Sequence, residues 1–380
     1  MADIDEPVGG PPIEAFSSVF DVSETRRDDE RLLYFGEPTV GPERLEQHVW
    51  PLFRNHGYEV RLATVQDGEA DPITGIEITT SRRALIAEPR SVGIDGVPWK
   101  NIIFALLTVA TTLFAGLRWY GLEIDDPFVV FQTWPFALAV LGVLGIHELG
   151  HYVMSRYHRV NASLPYFIPV PTIFGTMGAV IKMKGRIPNR KALFDIGVAG
   201  PLAGLIAAIV VTAIGLQLDP VEVEGPIFRI QGLNYPPLIQ FIAAATGAQL
   251  SYTDTAMRVN PVVVGGWVGM FVTFLNLLPV GQLDGGHLLR AMLGKRQETV
   301  AALVPAGLFG LGAYLFFVRE FALEAVFLWF FWGVIAVGLA YAGPAHPVHD
   351  DPLDSRRMAI GILTFILGLL CFTPVPFQLV

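Results

Sequence analysis

Three residues in one stretch, His147, Glu148 and His151, have the types and spacing of a hydrolytic metal site. The stretch reads Gly145-Ile146-His147-Glu148-Leu149-Gly150-His151-Tyr152. On an α-helix, residues four apart share a face, so both imidazoles can meet one metal ion. Glu148 lies beside them, placed to take a proton from water activated by that metal, because zinc lowers the pKa of water toward about 7. The surrounding run is apolar. A charged group at the centre of a membrane helix costs about 2.5–3.5 kcal/mol on insertion scales, whereas structural zinc returns on the order of 10 kcal/mol. Ionisable residues in such a setting are functional unless partnered, so chance spacing of two histidines is the weaker reading.

A catalytic zinc site takes three protein ligands and keeps a position open for water. The third must come from elsewhere in the chain. A later apolar run ends in Phe274-Leu275-Asn276-Leu277-Leu278-Pro279-Val280-Gly281-Gln282-Leu283-Asp284-Gly285-Gly286-His287. Asp284 is a carboxylate at an apolar helix end, on the same side of the membrane as His151 by the span assignment below. By itself it reads equally well as a turn or cap residue before Gly-Gly; the pairing with the His-Glu-His run favours a ligand.

These residues need a membrane scaffold to bring them together. Of 380 residues, 52% are hydrophobic and only 16% charged, against about 25% charged in soluble domains. Mean hydropathy is +0.49. A bilayer-spanning helix takes roughly 20 apolar residues, and seven runs qualify as expectations: Asn101 to Arg118, Pro127 to Tyr157, Phe194 to Gln217, Pro261 to Pro279, Thr299 to Val318, Ala322 to Ala342 and the short Met358 to Thr373. Arg156, Arg159, Lys182, Lys184, Arg186, Arg190 and Lys191 follow the second run, and Arg290, Lys295 and Arg296 follow the fourth. Acidic residues such as Glu123, Asp125, Asp219 and Glu222 fill the opposite loops. The positive-inside rule then makes the N-terminal part cytoplasmic and puts the C-terminus outside.

Ahead of the spans, residues 1–30 are polar and rich in Asp, Glu, Gly and Pro, and are expected to be disordered. They lack a basic segment followed by an apolar one, so no signal peptide is expected. Residues 31–99 are expected to form a small soluble α+β domain, with a helix over Pro42 to Asn55 and strands over Tyr58 to Val65, Gly75 to Thr80 and Ala84 to Ala87. Residues 100–373 are the membrane core and 374–380 a tail. The fold class expected is an all-α polytopic membrane protein of about six to seven transmembrane helices with that α+β domain in front. The net charge of −9 and the absence of a basic, aromatic-laced patch argue against a nucleic-acid partner. The single cysteine, Cys371, allows neither an internal disulfide nor a cysteine zinc cluster.

His-Glu-Leu-Gly-His in one span and Asn-Leu-Leu-Pro-Val-Gly-Gln-Leu-Asp-Gly-Gly-His in a later one resemble the site-2 protease family of intramembrane zinc metalloproteases. The likeness covers about residues 100–373, and a soluble domain ahead of the core is similar to the branch found in archaea, cyanobacteria and chloroplasts. The segment His346 to Asp354 resembles that branch too. The resemblance implies one Zn2+ per chain held by His147, His151 and Asp284, with Glu148 as general base and Asn276 holding substrate or donating to a developing oxyanion. An interhelical hydrogen bond is an equal reading of Asn276. The segments Leu164 to Pro169 and Phe174 to Met183 resemble the family's membrane-dipping strands, which makes Gly175 and Thr176 substrate-binding candidates by strand addition; a plain cytoplasmic hairpin is the competing reading. Ala199-Gly200-Pro201-Leu202-Ala203-Gly204 is similar to the family's Ala-Gly-Pro motif, but Gly204 stands where many relatives carry Asn, which leaves close helix packing as its role. Gln282, His287, His346 and His349 are read as loop and turn residues, and His158 as interfacial.

The implied activity is hydrolysis of peptide bonds in transmembrane protein substrates, as an integral protein of a prokaryotic plasma membrane. A metal-ion or proton transporter with intramembrane His and Asp ligands is the alternative; it has no need of Glu148 between the histidines. The sequence names no substrate and no oligomeric state.

Overall fold

The structure, a computed structural model, describes residues 9–70, 77–90, 96–183, 185–225, 230–254 and 256–379. Met1 to Val8, Gly75, Ile76, Lys184 and Val380 of the segments named above lie outside the described residues. The chain divides into two compact units, Met1–Gly93 and Ile94–Val380.

In the first unit, β1 (Phe20–Asp28), β2 (Arg31–Pro38), β3 (Tyr58–Ala70) and β4 (Glu77–Pro89) form an antiparallel sheet in the order β1-β2-β4-β3. Helix α1 (Pro42–Asn55) connects β2 to β3. It begins with Pro at its first position, where the missing N–H costs nothing. Leu45, Val49, Trp50 and Phe53 form its buried stripe. Phe53 meets Phe16 and Tyr34 with ring centroids 5.3–5.5 Å apart. The expectation of disorder over residues 1–30 fails for the described part. Phe16, Val19, Phe20 and Val22 are buried, and β1 pairs with β2 from Phe20 to Asp28. Phe20 and Val22 alternate inward along β1, and the buried Phe16 and Val19 just before it help to dock the strand.

The second unit holds the apolar helices. They are α2 (Trp99–Tyr120), α3 (Trp134–Tyr157), α4 (Arg190–Gly215), α5 (Pro237–Thr246), α6 (Pro261–Asn276), α7 (Asp284–Leu293), α8 (Gln297–Phe317), α9 (Leu323–Ala342) and α10 (Ser355–Leu370). Among the described residues five runs are long and apolar enough to cross a membrane: 99–120, 127–157, 190–215, 284–317 and 323–342. The expected fourth and seventh spans fall on α6 and α10, each of 16 residues. At 1.5 Å per residue such a helix is about 24 Å long, short of a roughly 30 Å hydrocarbon core. Helix α6 stops at Asn276 because Pro279 cannot continue it.

Helix α6 is the centre of this unit. It is apolar on every side and buried continuously from Pro261 to Met270, as expected of a helix surrounded by others. Its glycines let α3 and α4 approach. A Cβ on Gly269 would collide with Val143 Cγ1 of α3, and one on Gly266 with Thr212 Oγ1 of α4. Small residues at such crossings replace the hydrophobic drive that lipid does not supply.

Short strands complete the unit. β5 (Tyr166–Pro169) and β6 (Thr176–Val180) form an antiparallel hairpin, and β7 (Ile187–Asn189) runs parallel to β11 (Pro347–His349). β8 (Val221–Glu222) pairs with β10 (Met257–Arg258), and β9 (Ile230–Leu233) with β12 (Phe377–Leu379). The tip of the β5–β6 hairpin is fastened to α2. Trp119 Nε1 donates to the Ile173 carbonyl at 2.7 Å and Thr111 Oγ1 to that of Gly175 at 2.6 Å. Phe174 stacks on Trp119 with centroids 6.1 Å apart.

Candidate metal centre

The α3 run places His147 and His151 one turn apart, and both are buried. Asp284 opens α7, which begins after the turn that Pro279 and Gly281 impose beyond α6. Although 137 and 133 residues separate it from the histidines in sequence, its two carboxylate oxygens divide between them. Oδ2 lies 3.2 Å from His147 Nε2, and Oδ1 lies 3.2 Å from His151 Nε2. The two Nε2 atoms are 3.2 Å apart. One ligand atom from each residue lies within 4.8 Å of the other two.

The ring of His151 has a fixed tautomer. Its Nδ1 is 2.8 Å from the Ile196 carbonyl of α4, which can only accept, so Nδ1 carries the proton and Nε2 keeps its lone pair for the cluster. Two neutral imidazole nitrogens and a carboxylate oxygen, held in a largely dry site, are a donor set that fits zinc. Glu148 is buried on the adjoining part of α3, with the Ile181 backbone amide facing its carboxylate. It is not a member of the convergent trio. Asn276, last residue of α6, brings Nδ2 to 3.4 Å from His147 Nε2, at the edge of the cluster.

Helix α4 forms the floor. A Cβ on Gly200 would fall on the His151 ring, and one on Gly204 would stand 2.8 Å from His147 Nδ1. Two glycines four apart on α4 therefore oppose two histidines four apart on α3. The packing role left to Gly204 by its sequence is the one it has. Gly200 and the Ile196 carbonyl were not singled out as site elements; the four-residue glycine spacing in an apolar run was the available signal for the first, and a backbone carbonyl leaves none.

A cavity of about 500 Å3 opens on the cluster. Glu148, His151, Asn276 and Asp284 line it, together with Ala179–Met183 on one wall and Ala342–Ala345 on the other. Gly175 and Thr176 do not line it. Gly175 is pressed against the α2 backbone at Thr111 and Thr112, and Thr176 is buried with its hydroxyl donating to the Ile168 carbonyl at 3.0 Å. The segment that lines the cavity is the end of β6, Ala179 and Val180, and the three residues that follow it, Ile181–Met183. His287 Nδ1 accepts from the Ala345 amide at 3.2 Å, a loop contact as expected, and Gln282 lines the cavity. His158 is more than interfacial, since its Nε2 lies 2.9 Å from Asp195. A larger cavity of about 1080 Å3, walled by Asn234, Tyr235 and Arg258 among others, contains none of the cluster residues. Donor chemistry and not volume identifies the site.

Comparison with known proteins agrees. The model of Peptidase family M50 matches residues 135–314, which include every residue of the cluster. The chain is 29% identical over 345 residues to "Probable zinc metalloprotease EGY2, chloroplastic" of Arabidopsis thaliana, covering 90% of this chain and 59% of that protein. It is 37% identical over 202 residues to "Probable zinc metalloprotease EGY1, chloroplastic" of the same plant, covering 51% of this chain and 34% of that one. It thus spans less than two thirds of the length of these relatives. The "Site-2 Protease from Methanocaldococcus jannaschii" aligns over 77% of this chain and all of its own, with 16% identity and a TM-score of 0.33. The residues that match this family's model, 135–314, are those that build the metal cluster.

Proposed function

We propose that the protein is an intramembrane zinc metalloprotease that cuts transmembrane protein substrates. The observation that carries this reading is the convergence of His147, His151 and Asp284 from two apolar helices, with Glu148 beside them but outside the donor trio. A zinc ion bound there supplies Lewis-acid polarisation of a peptide carbonyl and of water. Glu148 takes the proton from the attacking water and passes it to the leaving amine, the work of a general base that becomes a general acid. The Asn276 amide, an N–H donor at the cluster's edge, steadies charge developing on the carbonyl oxygen. The wall at Ala179–Met183 receives an extended substrate segment by main-chain pairing. A substrate helix must unwind there, because an intact helix hides its carbonyls.

The five runs long and apolar enough to cross a membrane support an integral membrane protein, with α6 as a shorter apolar helix among them. The charge rule puts the N-terminal unit and the metal centre on the cytoplasmic side. The host membrane we propose is a prokaryotic plasma membrane, whereas the matched relatives are named as chloroplastic. No observation favours metal or proton transport.

The test is cleavage of a single-span model substrate by the purified protein. A zinc chelator should stop it and added zinc restore it. Cleavage that is indifferent to the chelator, or no cleavage of any membrane-spanning substrate by the zinc-loaded protein, overturns the reading.

A further inference from the structure

Two histidines seven residues apart, His151 on α3 and His158 just past its end, converge on consecutive residues of α4. His151 Nδ1 donates to the Ile196 carbonyl at 2.8 Å, and His158 Nε2 lies 2.9 Å from Asp195 Oδ2. The Asp195 carboxylate is also gripped from a third helix. Arg357, in the first turn of α10, reaches Oδ1 with Nε at 2.8 Å and Oδ2 with Nη2 at 2.9 Å. Its Nη1 holds Asp354, which caps α10, at 2.7 Å. A bidentate guanidinium–carboxylate pair fixes direction as well as distance. One carboxylate thus ties the end of α3, the first turns of α4 and the start of α10 together, one residue from the carbonyl that sets the tautomer and ring orientation of His151.

We infer that Asp195 is a positioning residue for the metal site: with His158 and Arg357 it fixes the register of α4 against α3, and so the Ile196 carbonyl that orients His151. The inference rests on the metal-site reading above. Partners behind a ligating histidine tune affinity because a ring free to turn loses its ligand geometry, and losing such a partner costs about 10- to 100-fold in metal affinity or activity. Asp195 acts one residue further back, through the backbone, so the lower end of that range applies. A carboxylate that only stapled helices would be felt in stability and not in the electronic environment of the metal.

The experiment uses the full-length protein with cobalt(II) in place of zinc. Metal affinity by chelator competition, the visible ligand-field spectrum and the melting temperature are read in the unmodified protein, Asp195→Asn, His158→Gln and His147→Ala. Asp195→Asn is expected to weaken cobalt binding about 10-fold and to shift the ligand-field band. His158→Gln, which leaves the Arg357 fork in place, should move the same band in the same direction by less, and it carries the test if Asp195→Asn does not fold. A lowered melting temperature with unchanged affinity and spectrum in the folded variants makes the clamp a helix staple and overturns the inference, while the metal site stands. If the unmodified protein binds cobalt no better than His147→Ala, the metal-site reading itself fails and this inference with it.

Discussion

Three glycines on α4 give a graded test of the site's floor. A Cβ built on Gly197 meets His287 Cβ at 3.6 Å, an ordinary contact. On Gly204 it stands 2.8 Å from His147 Nδ1, 2.9 Å from its Cβ and 3.2 Å from its Cγ. On Gly200 it occupies the space of the His151 ring. Non-bonded carbon contacts settle at about 3.5–4.0 Å, so Gly204→Ala must push His147 aside by roughly 0.7 Å. Catalytic geometry loses about 10²-fold for a misplacement near 1 Å, which makes roughly 10-fold a fair figure for Gly204→Ala. Gly200→Ala has no room unless His151 leaves its place, so its expected loss is about 10²-fold or more with metal released. Stability does not follow the same order. Alanine is a better helix former than glycine by up to about 1 kcal/mol, which partly offsets an overpacking cost of about 1–3 kcal/mol. Gly197→Ala should therefore be neutral or slightly stabilising. Zinc content and cleavage of a single-span substrate, measured for the three purified variants, read the series. Equal activity and equal zinc in Gly200→Ala and Gly197→Ala would refute the idea that α4 holds the imidazoles in place.

Two further substitutions separate metal binding from the chemistry. Asp284→Asn keeps the shape of the side chain but removes the negative charge between two imidazoles, so zinc affinity should fall and activity with it; affinity unchanged in a chelator competition would mean that the third donor lies elsewhere. Asn276→Ala should retain zinc and lower turnover by about 10²–10³-fold, the usual loss for one oxyanion donor; turnover within a few-fold of the unmodified protein would leave Asn276 a helix-packing residue.

Much of the site was legible because its chemistry is local in sequence. His147 and His151, four residues apart, share one helical face with Glu148 beside them, and periodicity alone reveals that. Asp284 was legible for a different reason: a carboxylate at the end of an apolar run has to find a partner. The cavity wall was harder. Gly175 and Thr176 look like a strand edge in one dimension, yet the hairpin tip is bound to α2 through Trp119 and Thr111, and it is Ala179–Met183 that reach the cluster. Nothing in a hairpin sequence says which of its ends meets the metal. The expected six to seven spans exceed the five long apolar runs because hydropathy also registers α6, a helix only 16 residues long and wrapped by its neighbours. Order in β1 was missed because four apolar side chains in a charged segment fall below any compositional threshold, while Phe16 and Phe20 are fully buried. The Asp195 clamp joins residues 158, 195 and 357 across three helices, a convergence that only the fold produces.

The central claim is that the His147–His151–Asp284 cluster holds one zinc and that Glu148 beside it does the proton transfer. It is tested most directly by measuring zinc content and cleavage of a single-span substrate on the same purified samples of the unmodified protein and Glu148→Gln. The account predicts one zinc per chain in both, with cleavage in the unmodified protein and a loss of at least about 10²-fold in the variant. Cleavage by Glu148→Gln near the unmodified rate, or full cleavage by protein that carries no zinc, would contradict it.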